Sequence, residues 1–508
     1  MKLSPLGVKR MTSVKYRLFS SFALALIGFC LCFFFADNAI GYCGDDVQII
    51  HQSIVALKDN IQQFINDYTY MNANNVDVVA TNAYSWGTSF ILVPIYKLFG
   101  LGNILMFKIV MIISFAAFLF IFSLYLSKKT NVIVSSLITL FIATCPFFIT
   151  FSNDILKDLP FLLVSFICFI AIDSFLKEEV QKKQILYSLF VSLMLSLCVL
   201  FRENGGLMVI VLLFSQVVRI IQITKSEKKI DKYTYILFLL PYILTAGAYY
   251  LVSSKYPTFY QSELLNYSPM SMVKMTLYYL NQIKTEFFNL GNIFSFIFLI
   301  GIFFLFIIGL IKKYKQEYVA VIMLCTLFGY IVCPVEQGVR YIIPLLPFVF
   351  IFVGFAVASF KYLNLKLALL LLVVLNVFNV YSLSKMNLLL RFQYKDVNHG
   401  VTSVSAKELY NYIRENTPRN SKIIYWHPRA IYMYTGRLSF QISDKKEKLK
   451  NADYQVSIIG DDKPGSFYDK EMYDYTEKTY VSEADVYLIP VYRNTNYAMY
   501  KITKDSKK

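Results

Sequence analysis

A chain of 508 residues that is 56% hydrophobic and only 16% charged lacks the polar surface of a soluble domain, which carries about a quarter charged residues. Its net charge of +17 would suit a nucleic-acid binder, but the lysines are spread through short loops between apolar runs and form no patch, which excludes that class. The apolar runs recur near the ~20 residues that cross a bilayer, and 39 Tyr and 45 Phe suit lipid contacts and interfacial aromatic belts.

In chain order the hydropathy predicts eleven spans: 18–36, 104–126, 131–151, 159–176, 185–201, 207–223, 234–253, 291–311, 318–334, 341–360 and 367–383. The first reads as an anchor and not a cleaved signal, because it is long for a signal core and no small-residue cleavage site precedes Asp37. Basic residues are retained on the cytoplasmic side, so Lys2, Lys9, Arg10, Lys15 and Arg17 place the N-terminus inside. Counting on from there, Lys128 and Lys129, Lys177, Lys182 and Lys183, the lysines from Lys225 to Lys232, Lys312, Lys313 and Lys315, and Lys361 and Lys366 all fall on that same side. The opposite loops are acidic or mixed, with Asp45 and Asp46, Asp154 and Asp158, Arg202 with Glu203, and Glu336 with Arg340. The apolar run 86–99 is short and holds Pro94. As a full span it would invert every later loop, so it is expected to lie in the interface or re-enter the membrane.

Beyond the last span the composition turns polar. Residues 406–416 form an amphipathic helix ending at Thr417-Pro418, and 422–426, 454–459, 486–491 and 497–502 cluster β-formers as strands do. The fold class is therefore an α-helical polytopic membrane protein with a small C-terminal extracytoplasmic α/β domain. Its expected division is a membrane domain at 1–387, with a long first outer loop at 37–103, and the outer domain at 388–508. Of eight cysteines nearly all lie in spans, leaving Cys43 and Cys333 outside, so no disulfide framework is expected.

The residues with chemistry collect on the outer face. Gly41-Tyr-Cys-Gly-Asp-Asp46 sets two carboxylates just after the first span. A carboxylate there can take a proton from an acceptor hydroxyl, while Gly-Asp-Asp before Val47 also suits a helix start, and both readings can hold for different aspartates. The loop Ser152-Asn-Asp-Ile-Leu-Lys-Asp-Leu-Pro160 packs Asp154, Lys157 and Asp158 at the mouth of two spans, as helix-start acids or as a second carboxylate that binds a metal or positions substrate. Arg202 and Arg340 stand at span ends, where a guanidinium either snorkels or grips a phosphate bidentately. The histidines His51, His399 and His427 are scattered, and His427 in Tyr425-Trp-His-Pro-Arg429 reads either as an acceptor contact or, as the safer reading, as surface loop. No His/Asp cluster has usable metal-ligand spacing, so a divalent metal is neither required nor identified.

The order of these motifs resembles the GT-C class of integral-membrane glycosyltransferases, most closely the branch of protein O-mannosyltransferases and the bacterial aminoarabinose transferase. The pieces are Gly44-Asp45-Asp46, the Trp86 to Gly100 segment ending Leu-Phe-Gly, Lys157-Asp158-Leu-Pro160, the Arg202 turn, Arg340-Tyr-Ile-Ile-Pro-Leu-Leu-Pro347, and in the tail Glu408 to Pro418 and Tyr434-Thr-Gly-Arg437. The resemblance implies sugar transfer from a polyprenyl-phosphate carrier to an acceptor outside the membrane, with inversion at the anomeric carbon. It implies that Asp46 or Asp45 is the base, with a slight lean to Asp46, that Asp158 is a second acid shaping the site, and that Arg202 and Arg340 hold the donor phosphate. Asp154, Tyr84 and Trp86 are the expected substrate contacts. The first loop departs from the aminoarabinose enzyme: Asn82-Ala-Tyr-Ser-Trp86 stands where that enzyme has Glu-Lys-Pro, which leaves the donor sugar open. The implied partners are the polyprenyl-phosphate sugar donor, membrane lipids, and an acceptor that is a cell-envelope glycan, a lipid or a protein. Usage rich in Lys, Ile and Asn hints at an AT-rich bacterium and so at undecaprenyl phosphate as carrier. The competing reading is a transporter or flippase of lipid-linked glycans. Such proteins place charge near the bilayer midplane, whereas here the acids lie in outer loops.

Overall fold

A computed structural model describes residues 14–40, 44–75, 82–225, 232–258, 269–287, 292–331, 339–394, 400–441, 446–459 and 475–504. Arg10 and the residues before it, Cys43, Lys228, Lys229, Cys333, Glu336 and His399 lie outside the described residues.

With no water to bond backbone groups in hydrocarbon, the apolar runs close their hydrogen bonds internally as helices. After α1 (Val14–Phe35), the first long loop holds α2 (Gly44–Lys58), α3 (Ile61–Asn74) and α4 (Gly87–Phe99). There follow α5 (Ile104–Lys129), α6 (Val132–Ala143), α7 (Pro146–Phe151), α8 (Asp158–Lys177), α9 (Gln181–Phe201), α10 (Leu207–Lys225) and α11 (Lys232–Lys255). Next come α12 (Pro269–Phe287), α13 (Asn292–Lys313), α14 (Tyr318–Ile331), α15 (Leu346–Ser359) and α16 (Tyr362–Tyr394).

Among the described residues eight helices are long and apolar enough to cross a membrane: α1, α5, α8, α9, α10, α11, α13 and α16. The three other expected spans correspond to shorter helices. The run 131–151 is two helices, because Pro146 has no N–H to continue α6 and instead opens α7. Asn131 starts α6 by accepting the Val134 N–H at 2.9 Å. The other two are α14 and α15. At 13 residues, α4 is only about 20 Å long, too short to cross. The amphipathic α12 was not apparent in the sequence; it packs on α13 and on the turn at Val339–Tyr341.

The bundle centre is aromatic. Phe118 and Phe122 of α5 meet Phe166 of α8, Phe115 stacks on Phe118, and Phe166 and Phe169 in turn reach Phe348 of α15. Where α13 meets α15, a Cβ on Gly309 would lie 1.8 Å from the Phe352 carbonyl oxygen, so only glycine allows that backbone approach. One end of the bundle is tied by lysines. Lys129 of α5 and Lys177 of α8 reach Glu317, just before α14, at 2.7 and 3.7 Å, and Lys312 reaches Ser359 at 2.7 Å.

The C-terminal region is a small α/β unit. Its first helix, α17 (Val404–Asn416), starts where Ser403 accepts the Ala406 N–H at 3.1 Å. The strands are β1 (Lys422–Ile424), β2 (Leu438–Phe440), β3 (Tyr454–Ile458), β4 (Thr479–Val481), β5 (Val486–Arg493) and β6 (Tyr497–Thr503) in one mixed sheet, ordered β2-β1-β3-β6-β5-β4. The first two pairings are parallel and the rest antiparallel. Between β1 and β2 runs α18 (Pro428–Thr435), which packs onto α2. The expected division after residue 387 falls inside α16, which continues to Tyr394.

Candidate active site

The acidic pair occupies the first turn of α2, where the helix dipole favours carboxylates. Successive residues on a helix point about 100° apart, so the two aspartates face different surroundings. Asp45 faces the end of the bundle opposite the lysine cluster. It accepts hydrogen bonds from the Tyr84 hydroxyl, from Arg340 Nη1 at 3.0 Å and from Arg429 Nη1 at 3.2 Å, and its side chain is 22% exposed. Asp46 is buried; one carboxylate oxygen accepts the Ile155 N–H at 3.1 Å and the other has no partner among the described residues.

Their electrostatics diverge accordingly. Burial alone would raise the Asp45 pKa, but the guanidinium charges of Arg429 and Arg340 and the Tyr84 hydrogen bond hold it well below the usual carboxylate range. For Asp46, burial and then the charge of Asp154 push the pKa well above that range. Burial also pushes Asp154 up to about 6, with Lys108 opposing and Asp37 and Asp158 adding to the rise. Lys108 is the buried cation behind this pair, bonded to Asp37 at 2.6 Å and to Asn153 at 2.9 Å.

A raised carboxyl pKa destabilises the fold once the group ionises, since the native state then binds more protons than the unfolded chain. Stability from Asp154 is therefore fullest below an ordinary carboxyl pKa of ~4 and is lost as the pH rises through about 6. The melting temperature of the detergent-solubilised protein should fall across that window, and Asp154→Asn should flatten the fall. An unchanged slope in the variant would assign it to other groups.

A second ion pair stands beside the first. Arg202, leaving the end of α9, bonds Asp158 at the start of α8, with both side chains buried. The guanidinium also lies against the rings of Tyr341 and Phe161, at 4.9 and 5.8 Å. Next to it Lys157 pairs with Glu203 at 2.7 Å, and Glu203 also accepts the Ser85 N–H at 2.9 Å. Tyr84 joins these parts. Gln52 of α2 clamps its backbone at 2.9 and 3.0 Å, its hydroxyl reaches Asp45, and Lys157 sits 4.6 Å from its ring centre.

Of the residues expected at the site, Asp45, Tyr84 and Arg340 are in direct contact, Asp158 and Arg202 form the adjoining pair, and Asp46 and Asp154 lie behind in the buried acidic group. Trp86 stands apart. It is fully buried among Phe64, Phe90 and Tyr256, with its indole N–H bonded to the Pro257 carbonyl at 3.1 Å, so its surroundings are those of a packing residue. His427 is a correction: it is buried at the start of α18, not on a surface loop. Two residues later in the same motif, Arg429 is the site residue that the sequence did not single out. It comes 384 positions after Asp45, so no spacing rule could link them; the only signal was an arginine within an aromatic-rich motif. A Cβ on Gly44 would sit 3.3 Å from Arg429 Nη1, so the glycine gives this guanidinium its room. Among the described residues no three His, Cys, Asp or Glu are gathered as a metal ion would need.

No protein-family model and no curated protein matches the chain. Solved structures do. ArnT from Cupriavidus metallidurans in the apo state matches with a TM-score of 0.53 and 13% identity, over 94% of this chain and 97% of that one. The same protein bound to undecaprenyl phosphate matches with 0.54 and 13%, over 96% and 98%. The Archaeoglobus fulgidus oligosaccharyltransferase in complex with Zn and sulfate gives 0.55 and 11%, over 86% and 68%. Both proteins are GT-C glycosyltransferases, so the chain has the GT-C fold. At these identities the likeness carries the fold and leaves the reaction to be argued from the residues.

Proposed function

We propose that this GT-C-fold chain transfers a sugar from a polyprenyl-phosphate carrier to an acceptor on the extracytoplasmic side, with inversion at the anomeric carbon. The observation that carries the reading is Asp45, a partly exposed carboxylate bonded to two arginines at one end of a membrane bundle. A base and cations side by side are what the reaction uses. The acceptor oxygen bonds to the anomeric carbon as the sugar–phosphate C–O bond breaks. The electron pair leaves with the polyprenyl phosphate, and the acceptor proton goes to the carboxylate. Positive charge beside the phosphate stabilises the charge that grows there.

In this reading Asp45 is the base, in preference to Asp46. A general base must be ionised and within reach of the hydroxyl, and Asp46 is buried and favours its proton. Arg340 takes the donor phosphate. Arg202, already engaged by Asp158, positions that second acid, and the pair shapes the wall of the site. Tyr84 orients Asp45, and Asp154 acts from behind, through Asp46. A membrane domain followed by an outer α/β domain suits this arrangement, with the lysine-rich end of the bundle cytoplasmic by the positive-inside rule. The structure of ArnT bound to undecaprenyl phosphate makes that lipid the first carrier to try.

The test is sugar transfer by purified protein from a panel of polyprenyl-phosphate sugars, read as release of free polyprenyl phosphate. Release by wild type is expected. Absence of release with every donor, from protein that is folded and monodisperse, would overturn the reading and favour transport of a lipid-linked glycan.

A further inference from the structure

We infer that Asp45 is the resting occupant of an anion seat made by Arg340 and Arg429, and that the donor phosphate replaces it there, releasing Asp45 to act as base. This rests on the sugar-transfer reading above and makes Arg429, a residue of the C-terminal region, part of the reacting cluster.

The first support is geometric. The two guanidiniums come from distant parts of the chain and meet on one carboxylate, Arg429 on Oδ1 at 3.2 Å and Arg340 on Oδ2 at 3.0 Å. A phosphate presents the same kind of paired, charged oxygens to guanidinium donors. A site that holds the one is formed to hold the other.

The second support is the local charge balance. The remaining cations here have acids of their own: Arg202 has Asp158, Lys157 has Glu203, and Lys108 has Asp37. Asp45 pairs with both Arg340 and Arg429. A sugar-linked phosphodiester carries one negative charge, as the Asp45 carboxylate does, so the two exchange at the seat charge for charge.

The third support is chemical. A carboxylate bonded to two guanidiniums and a tyrosine hydroxyl is a poor proton acceptor. When the guanidiniums turn to the phosphate, their hold on Asp45 weakens and its basicity rises, at the moment when an acceptor can be attacked productively. Arg340 is 30% exposed and Asp45 22%, so the exchange has access from outside, while Arg429 at 10% is held by α18 from behind. With the base restrained until donor binds, the seat also disfavours proton abstraction from an acceptor that arrives first.

The experiment is equilibrium binding of undecaprenyl phosphate to the full-length protein in nanodiscs, for wild type, Asp45→Asn, Arg429→Gln, Arg429→Lys and the Asp45→Asn/Arg429→Gln double variant. Because Asp45 competes for the seat, Asp45→Asn should bind about tenfold more tightly than wild type. Arg429→Gln should bind about tenfold more weakly, with Arg429→Lys between, effects of a size common for charge changes in a binding site. The acid limb of the kcat/KM profile should move to higher pH in Arg429→Gln, because one cation holding Asp45 is gone; a merely structural arginine would leave it in place. If wild type binds and Asp45→Asn binds no more tightly, the exchange is wrong while sugar transfer stands. If wild type binds neither undecaprenyl phosphate nor any other polyprenyl phosphate of the donor panel, both fall.

Discussion

Asp45→Asn should lower sugar transfer by about 10²–10⁴-fold, the usual contribution of a positioned general base, while Asp46→Asn should stay within about tenfold of wild type. The contrast follows from the two environments. Asparagine at 45 keeps an oxygen for Tyr84 and the arginines but cannot take a proton, and it sits at a partly exposed position where little packing changes. Asparagine at 46 resembles the protonated acid that burial and Asp154 already favour there, and its oxygen can still accept the Ile155 N–H. Turnover of a polyprenyl-phosphate sugar by each variant, with melting temperature as the check on folding, separates the cases. Equal losses in both would mean that the buried pair takes part in proton transfer. Full activity in Asp45→Asn would remove the base assignment altogether, even though tighter binding of the carrier in that variant would still uphold the seat.

The membrane part of this architecture was legible because each span is a long local signal. Eleven apolar runs correspond to helices, and the misread detail, one run that is two helices, turns on Pro146. In the tail, α17 and the strands β1, β3, β5 and β6 were legible from their patterns. The three-residue β2 and β4 were too short to show any period, and α18 lay hidden in a motif read as loop. The site was legible only in part, for a related reason. Acids and arginines at span ends announce themselves through topology, whereas the ion pairs depend on contacts made across hundreds of residues. Arg202 illustrates this. Its place at a span end suggested a phosphate ligand, and only the approach of α8 to the end of α9 engages it with Asp158. Trp86 illustrates the converse: it packs at the start of α4 against Phe64 and Tyr256, and the contact with Asp45 is made two residues earlier, by Tyr84.

The Asp158–Arg202 pair carries the second large expectation. Both side chains are buried, and the pair joins the start of α8 to the end of α9, two helices in extensive contact. Removing one partner of a buried pair leaves the other charge without compensation, which typically costs about 3–5 kcal/mol. Arg202→Gln should therefore lower the detergent-phase melting temperature markedly, as should Asp158→Ala. Replacing both partners together, as Asp158→Asn/Arg202→Gln, should recover much of the loss, because no uncompensated charge remains and two neutral amides can still bond each other. Activity should not return with stability, since the double variant lacks the second acid at the wall of the site. Recovery of stability without activity would mark the pair as a positioning device. If Arg202→Gln instead keeps its melting temperature and loses only affinity for the carrier, the guanidinium is free to leave Asp158, and the donor phosphate is held by three arginines instead of two.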